Sequence, residues 1–348
     1  MQSAFALRAN FSGEINMDMN DAKQIGGLET DAIAMGCRPQ REYGRIRLAS
    51  LFANTIVYQA FVFALSFLPM PLAMHTSRLA GKLRYRRRRK GVLPLQKKMA
   101  SALQAEPEQA AAWLKRSFEL AAQEDMESYV YPRLTKETVG KLIDIQGLDR
   151  LRLALAGGKG AILYSGHVRG WFTFLVALGF HGFVVHPVGR TMKDVHRPVE
   201  SWFQERRNSF AEKKLNCTFL WMAKGQFGVA AKALNALKRN EIILVFLDPN
   251  EPTQGAKVNF FGRKTRMPPG PVLMAQASGA PLLGFYVHHD EDCMRQVAEI
   301  GEPFYASVDA LESLQHCASS LEEQIRNHPA HWVTWLVANA ELWKDSPA

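Results

Sequence analysis

The sequence predicts an α/β fold, with a mostly parallel central sheet covered by helices and a membrane-associated helix near the N-terminal end. Three observations carry this expectation. Short apolar runs alternate with amphipathic stretches after Gly147, no Asp, Glu, Lys or Arg occurs from Leu48 to Ser77, and a strongly basic segment follows directly.

The runs GAILYSG, FVVHPVG, CTFLW, EIILVFLDP and PLLGFYVHH read as strands, and RPVESWFQERRNSF, GQFGVAAKALNALKR and PPGPVLMAQASG between them read as helices. Such alternation implies parallel strands with helices on both faces, and sheets of this kind display their reactive groups at the carboxyl ends of the strands. Upstream, the segment EPEQAAAWLKRSFELAAQEDMESYVY has apolar residues three and four apart, which makes 93–140 a helical scaffold. Residues 1–44 are polar and aperiodic and read as a flexible extension, 45–92 as the apolar helix with its basic segment, and 93–348 as the α/β domain. At 348 residues and 47% hydrophobic composition the chain can bury a full core, which excludes disordered and fibrous classes.

The net charge is +10, but its distribution says more than its sum. Ten of the 43 basic residues fall between Arg78 and Lys98, a stretch without Asp or Glu, which leaves 33 basic against 33 acidic residues elsewhere. The apolar segment LASLFANTIVYQAFVFALSFL is long enough to cross a bilayer as a helix. Its Asn54, Thr55, Tyr58 and Gln59 keep an interfacial helix equally open. A basic run beyond an apolar helix is drawn to anionic headgroups by roughly 1 kcal/mol per charge. The membrane surface is therefore the expected partner, or an acidic carrier protein, and nucleic acid is not, because no aromatic interleaving or reading module accompanies the charge. The four cysteines, Cys37, Cys217, Cys293 and Cys317, have no ligand-like spacing and read as reduced thiols in a cytosol-facing protein, with no structural metal.

His167 follows the strand AILYSG and precedes a glycine turn and a helix beginning near Trp171. A lone histidine there is more often structural than catalytic, so position alone leaves its role open. The stretch GGKGAILYSGHVRGW resembles the motif of the lipid A late acyltransferases, in which a strand ends in Gly-His and a carboxylate follows five residues after the histidine. In order along the chain, LAGKLRYRRRRK, SWFQERRNSF, VFLDPN with VNFFGRKTRMPPG, ASGAPLLGFYV and the terminal HPAHWVTWLVANAELW resemble further stretches of that family, over roughly 45–343.

The resemblance implies transfer of a fatty acyl chain from an acyl carrier protein thioester to a hydroxyl of a lipid A precursor, at the cytoplasmic face of the bacterial inner membrane, without metal or cofactor. His167 would act as general base, its ring oriented by the carboxylate. The position five residues on is Phe172, which cannot accept a hydrogen bond. Asp248, ending EIILVFLD on the same sheet edge, is the leading substitute, although an Asp before Pro249 and Asn250 reads equally as a turn former. Asp194 and Glu200 are weaker alternatives. Arg169, Arg206 and Arg263 are the expected ligands of substrate phosphates, with Arg190, Arg207 and Arg266 behind them. Ser165 lacks a nucleophile elbow, Cys217 reads as packed, and Trp202, Trp221, Trp332, Trp335 and Trp343 read as core, acyl-groove or interfacial residues. The altered motif leaves three alternatives open: an aminoacyl donor, a different lipid acceptor, or a non-catalytic relative that binds acyl chains or carriers.

Overall fold

The computed structural model describes residues 56–190, 198–222, 228–249, 255–290 and 295–332. The expected extension, the start of the apolar run, Asp194, Trp335, Trp343 and the side chains of Arg190, Glu200 and Trp202 lie outside the described residues.

Residues 56–65 form helix α1. The chain then turns, with the Ser66 hydroxyl donating to the Phe63 carbonyl, and Pro69 caps helix α2, Met70–Leu103. Proline has no N–H to give to a helical ladder and disfavours the helical region for the residue before it, so the apolar run breaks into two helices. Among the described residues, which begin at 56, no helix is long and apolar enough to cross a membrane.

Helix α2 holds the whole basic run and passes through the boundary expected at residue 92. It packs along helix α3, Pro107–Val130. Arg78 lies 3.5 Å from Glu119, and Arg84 reaches both the Tyr58 hydroxyl of α1 (2.9 Å) and Asp125 (3.3 Å). Part of the positive charge is therefore used between helices.

The chain continues through the short helix α4 (Lys136–Val139) into strand β1 (Ile143–Gln146), helix α5 (Leu148–Ala156), strand β2 (Ala161–Ser165), helix α6 (Trp171–Phe180) and strand β3 (Val185–Arg190). Helix α7 (Pro198–Lys214), strand β4 (Leu220–Met222), helix α8 (Val229–Lys238) and strand β5 (Ile242–Phe246) follow. Strands β6 (Ala256–Phe260) and β7 (Arg263–Met267) make a separate hairpin. Helix α9 (Gly270–Ser278), strands β8 (Leu282–His289) and β9 (Gln296–Ile300), and helix α10 (Ala310–Asn327) complete the fold. The main sheet has the order β1-β9-β8-β2-β5-β3-β4, parallel except for the β8–β9 pair.

All five residues of β2 are buried, as a strand covered on both faces requires. Alternation along β8 shows the two coverings: Phe285 stacks on Phe174 of α6, while Gly284 lies against Tyr164 and Ser320 of α10.

A buried polar knot ties α3 to this sheet. Glu127, with no exposed surface, accepts from Thr173 of α6 (3.0 Å) and from Gln296 of β9 (2.7 Å), and Tyr131 shares a hydrogen bond with Thr173. Burial, and then neighbouring Glu124, pushes the Glu127 carboxyl up to about 8. The folded protein thus holds a proton that the unfolded chain releases near 4.5. This contribution to stability is complete below that pH and is lost as pH rises through about 8. Glu127→Gln should therefore lose less stability than the wild type between about pH 5 and 8. Thermal unfolding across that range measures it, and parallel curves would refute the buried proton.

Candidate active site

The parallel register of β2 and β5 pairs Ser165 with Phe246, and the Leu247 amide continues the ladder to the Ser165 carbonyl. Two residues further along each strand, His167 and Asp248 therefore stand side by side. The Asp248 carboxylate is completely buried, whereas the His167 side chain is 45% exposed. His167 Nδ1 lies 2.5 Å from Asp248 Oδ2, and the same oxygen accepts the His167 amide at 2.8 Å. Asp248 Oδ1 accepts the indole N–H of Trp332 at 2.6 Å.

An ionised carboxylate only accepts, so the His167 proton sits on Nδ1 and the Nε2 lone pair is free on the other side of the ring. The ring is fixed from below by Phe246, stacked at 4.1 Å, and Phe246 in turn meets the edge of Trp171 at 5.1 Å. Gly166 has a steric reason to be glycine. A Cβ there would stand 2.7 Å from Trp332 Nε1 and 3.2 Å from Asp248 Oδ1, in the space the indole needs.

The loop after His167 is zipped to the distant turn that delivers Trp332. Val168 and Trp332 form an antiparallel bridge, and the Arg169 amide donates to the His331 carbonyl at 2.8 Å. From the other side, the Tyr286 hydroxyl donates to the His328 carbonyl and the His289 amide to His331 Nε2. Gly170 closes this loop at φ +82°, and α6 begins at the next residue.

The expected carboxylate position, Phe172, lies wholly inside α6's packing. Its ring faces Tyr131 at 5.3 Å and the Arg207 guanidinium at 4.3 Å. The expected arginines divide. Arg169, expected as a phosphate ligand, is 3% exposed and pairs with Glu124 of α3 at 2.9 Å, which ties the motif loop to the scaffold. Arg206 is exposed on α7, with its guanidinium 5.0 Å over the Tyr129 ring. Arg263 is partly buried at the start of β7, on a different element, and Arg266 donates to the Gly255 carbonyl.

Sequence reasoning weighed Trp332 as a packing or groove residue and missed its bond to Asp248; nothing local signals a contact across 84 positions. It likewise missed Phe246 and Glu124. Cys217 is buried, and burial pushes its thiol up to about 12, away from nucleophile chemistry. Among the described residues one set has metal-ligand chemistry, His288, Glu299 and His328, with donor atoms within 4.8 Å of one another. The two imidazoles are stacked at 3.9 Å with only 3° between their planes, so their lone pairs run parallel and do not converge on one point. That set would have to rearrange before it could hold an ion.

A protein of Mycobacterium tuberculosis named phosphatidylinositol mannoside acyltransferase is 27% identical over 219 residues, 59% of this chain. The aligned part spans 63% of that relative's length. A Mycolicibacterium smegmatis protein of the same name is 27% identical over 266 residues, covering 76% of this chain and 84% of its own. The family described as bacterial lipid A biosynthesis acyltransferase matches residues 46–344, from α1 to beyond the Trp332 turn, and this chain belongs to it.

Proposed function

We propose that the chain transfers a fatty acyl group from a carrier-protein thioester to a hydroxyl of a phosphate-bearing glycolipid, with His167 as general base. The observation that carries this reading is the buried Asp248 carboxylate on His167 Nδ1, which leaves Nε2 basic and exposed. Nε2 takes the acceptor's hydroxyl proton while the oxygen bonds to the thioester carbonyl carbon. The tetrahedral adduct then expels the thiolate, which takes the proton back from the imidazolium and leaves as a thiol. Asp248 stabilises the imidazolium between these steps, the part that the family's motif carboxylate was expected to play from position 172.

Membership of the family supports an acyl donor, and the relatives' printed names support a phosphorylated glycolipid as the acceptor class, of which a lipid A precursor is another member. Attachment to the cytoplasmic face of the inner membrane is part of the same proposal. It rests on the basic run of α2 and on the apolar side chains that α1 and the following turn leave exposed, among them Val57, Phe63 and Phe67.

Deleting the gene should remove an acylated glycolipid, and the wild-type gene should restore it. His167→Ala should fail to restore it, with transfer in vitro reduced roughly 10²–10⁴-fold. Mass spectrometry of extracted lipids reads both. Full restoration by His167→Ala would refute the catalytic assignment, and an added mass of an amino acid in place of a fatty chain would refute the donor.

Trp332→Phe keeps an aromatic ring but withdraws a donor from the buried carboxylate, at a cost of about 1–3 kcal/mol in stability. A carboxylate with one donor fewer is less firmly placed, and so is the ring that it orients. We expect kcat to fall about tenfold with KM unchanged. An unchanged kcat would make Trp332 a packing residue only.

A further inference from the structure

A cavity of about 270 Å³ lies between the end of α3 and the exposed side of α7, lined by Ser128, Tyr131, Arg206, Arg207, Phe210 and Lys213. Arg206, Phe210 and Lys213 follow one another at four- and three-residue spacing and so share a face of α7, with Arg207 turned one step towards α6. Three cations thus border one small cavity. Among the described residues no carboxylate lies within ion-pair distance of any of them, and the Arg207 Nε is buried without a hydrogen-bond partner.

Phe172 explains that surplus. The Arg207 guanidinium rests 4.3 Å over its ring and 5.4 Å from the Trp171 ring. A carboxylate at position 172 would be within reach of Arg207 and would neutralise it. A phenyl face holds the guanidinium in place and leaves its charge available. The same contacts connect the cavity to the reaction centre, since Trp171 touches Phe246 and Phe246 stacks under His167.

On its other side the cavity meets the apolar edge of α1. Arg206 sits over Tyr129, Tyr129 meets Phe63 at 5.3 Å, and Phe63 meets Phe67 at 5.0 Å, with both phenyl rings largely exposed. Uncompensated cations beside an exposed apolar ledge match the phosphate and the acyl chains of a lipid.

We propose that this cavity binds the phosphate of an anionic lipid headgroup through Arg207, Arg206 and Lys213, and that Phe172 creates the site by leaving Arg207 uncompensated. The assignment deepens the acyltransferase reading and rests on it for the statement that the bound lipid is the acceptor. Binding itself is independent of turnover.

The test uses the full-length protein and co-sedimentation with phosphatidylcholine vesicles made with and without phosphatidylglycerol. Arg207→Gln with Lys213→Gln should weaken binding to the anionic vesicles at least tenfold and leave binding to phosphatidylcholine alone unchanged. Control substitutions Arg86→Gln with Arg87→Gln on α2 should weaken it less, and equal losses would mean diffuse surface attraction and overturn the site. Glycerol phosphate that competes as well as the vesicles do would overturn the lipid assignment in favour of a free phosphate site. Phe172→Glu should lower anionic-vesicle affinity to the level of the Arg207 variant. Wild-type affinity in a folded Phe172→Glu protein would overturn the role given to Phe172, and if that variant does not fold, Phe172→Leu, which withdraws the phenyl face, should weaken binding, and wild-type affinity there would overturn the same role. His167→Ala separates the two readings, because it should abolish transfer and bind vesicles normally. In the transfer assay the Arg207 variant should raise the acceptor KM about tenfold with kcat retained, and an unchanged KM would show that the bound lipid is not the acceptor.

Discussion

The arrangement depends on one buried carboxylate. Asp248 has no exposed surface, and leaving a charge there without partners would cost several kcal/mol. Three N–H groups meet it: the amide and the Nδ1 of His167, and the indole of Trp332. These bonds fix the histidine tautomer, place the ring over Phe246 and hold the turn that carries Trp332 against the end of the sheet. A phenylalanine at position 172, in the first turn of α6, is compatible with this arrangement because none of these bonds involves it.

Parts of this were legible in the sequence, and the reasons are physical. Strands β2, β5 and β8 are mostly apolar and mostly buried, as strands covered on both faces require, and such runs declare themselves. Strands β1 and β9 are short edge-side segments, IDIQ and QVAEI, whose alternating burial admits Asp144, Gln146 and Glu299, so composition hides them. The hairpin of β6 and β7 falls in the stretch VNFFGRKTRMPPG, which the resemblance covers, but its two strands stay hidden because AKVNF and RKTRM carry mostly polar residues. Strand ends placed His167 and Asp248 on one edge, because parallel strands bring their carboxyl ends together, while the role expected of the histidine came from the resemblance. The third partner could not be placed in this way. Trp332 arrives through long-range bridges, and its neighbourhood in sequence reads only as an aromatic block.

The basic segment shows a similar division between sum and use. A count of charge treats Arg78 and Arg84 as equivalent to the rest of the run, yet they face Glu119 and Asp125 and help to set the packing of α1, α2 and α3. What distinguishes Arg206, Arg207 and Lys213 on α7 is that, among the described residues, no carboxylate lies within ion-pair distance of them. Charge that lacks an internal partner is the charge available to an external one, and burial of the Glu127 proton nearby keeps one possible internal competitor neutral.

The zipper between the motif loop and the Trp332 turn also orders events in time. Residues 167–170 and the tryptophan bonded to Asp248 are made far apart in time, with Trp332 emerging 84 residues after Asp248. A nascent chain, or one clipped ahead of this turn, has its base and its acid in adjacent strands but lacks the clamp that holds them in register. On the proposed function, transfer therefore waits until the chain through Trp332 has been made.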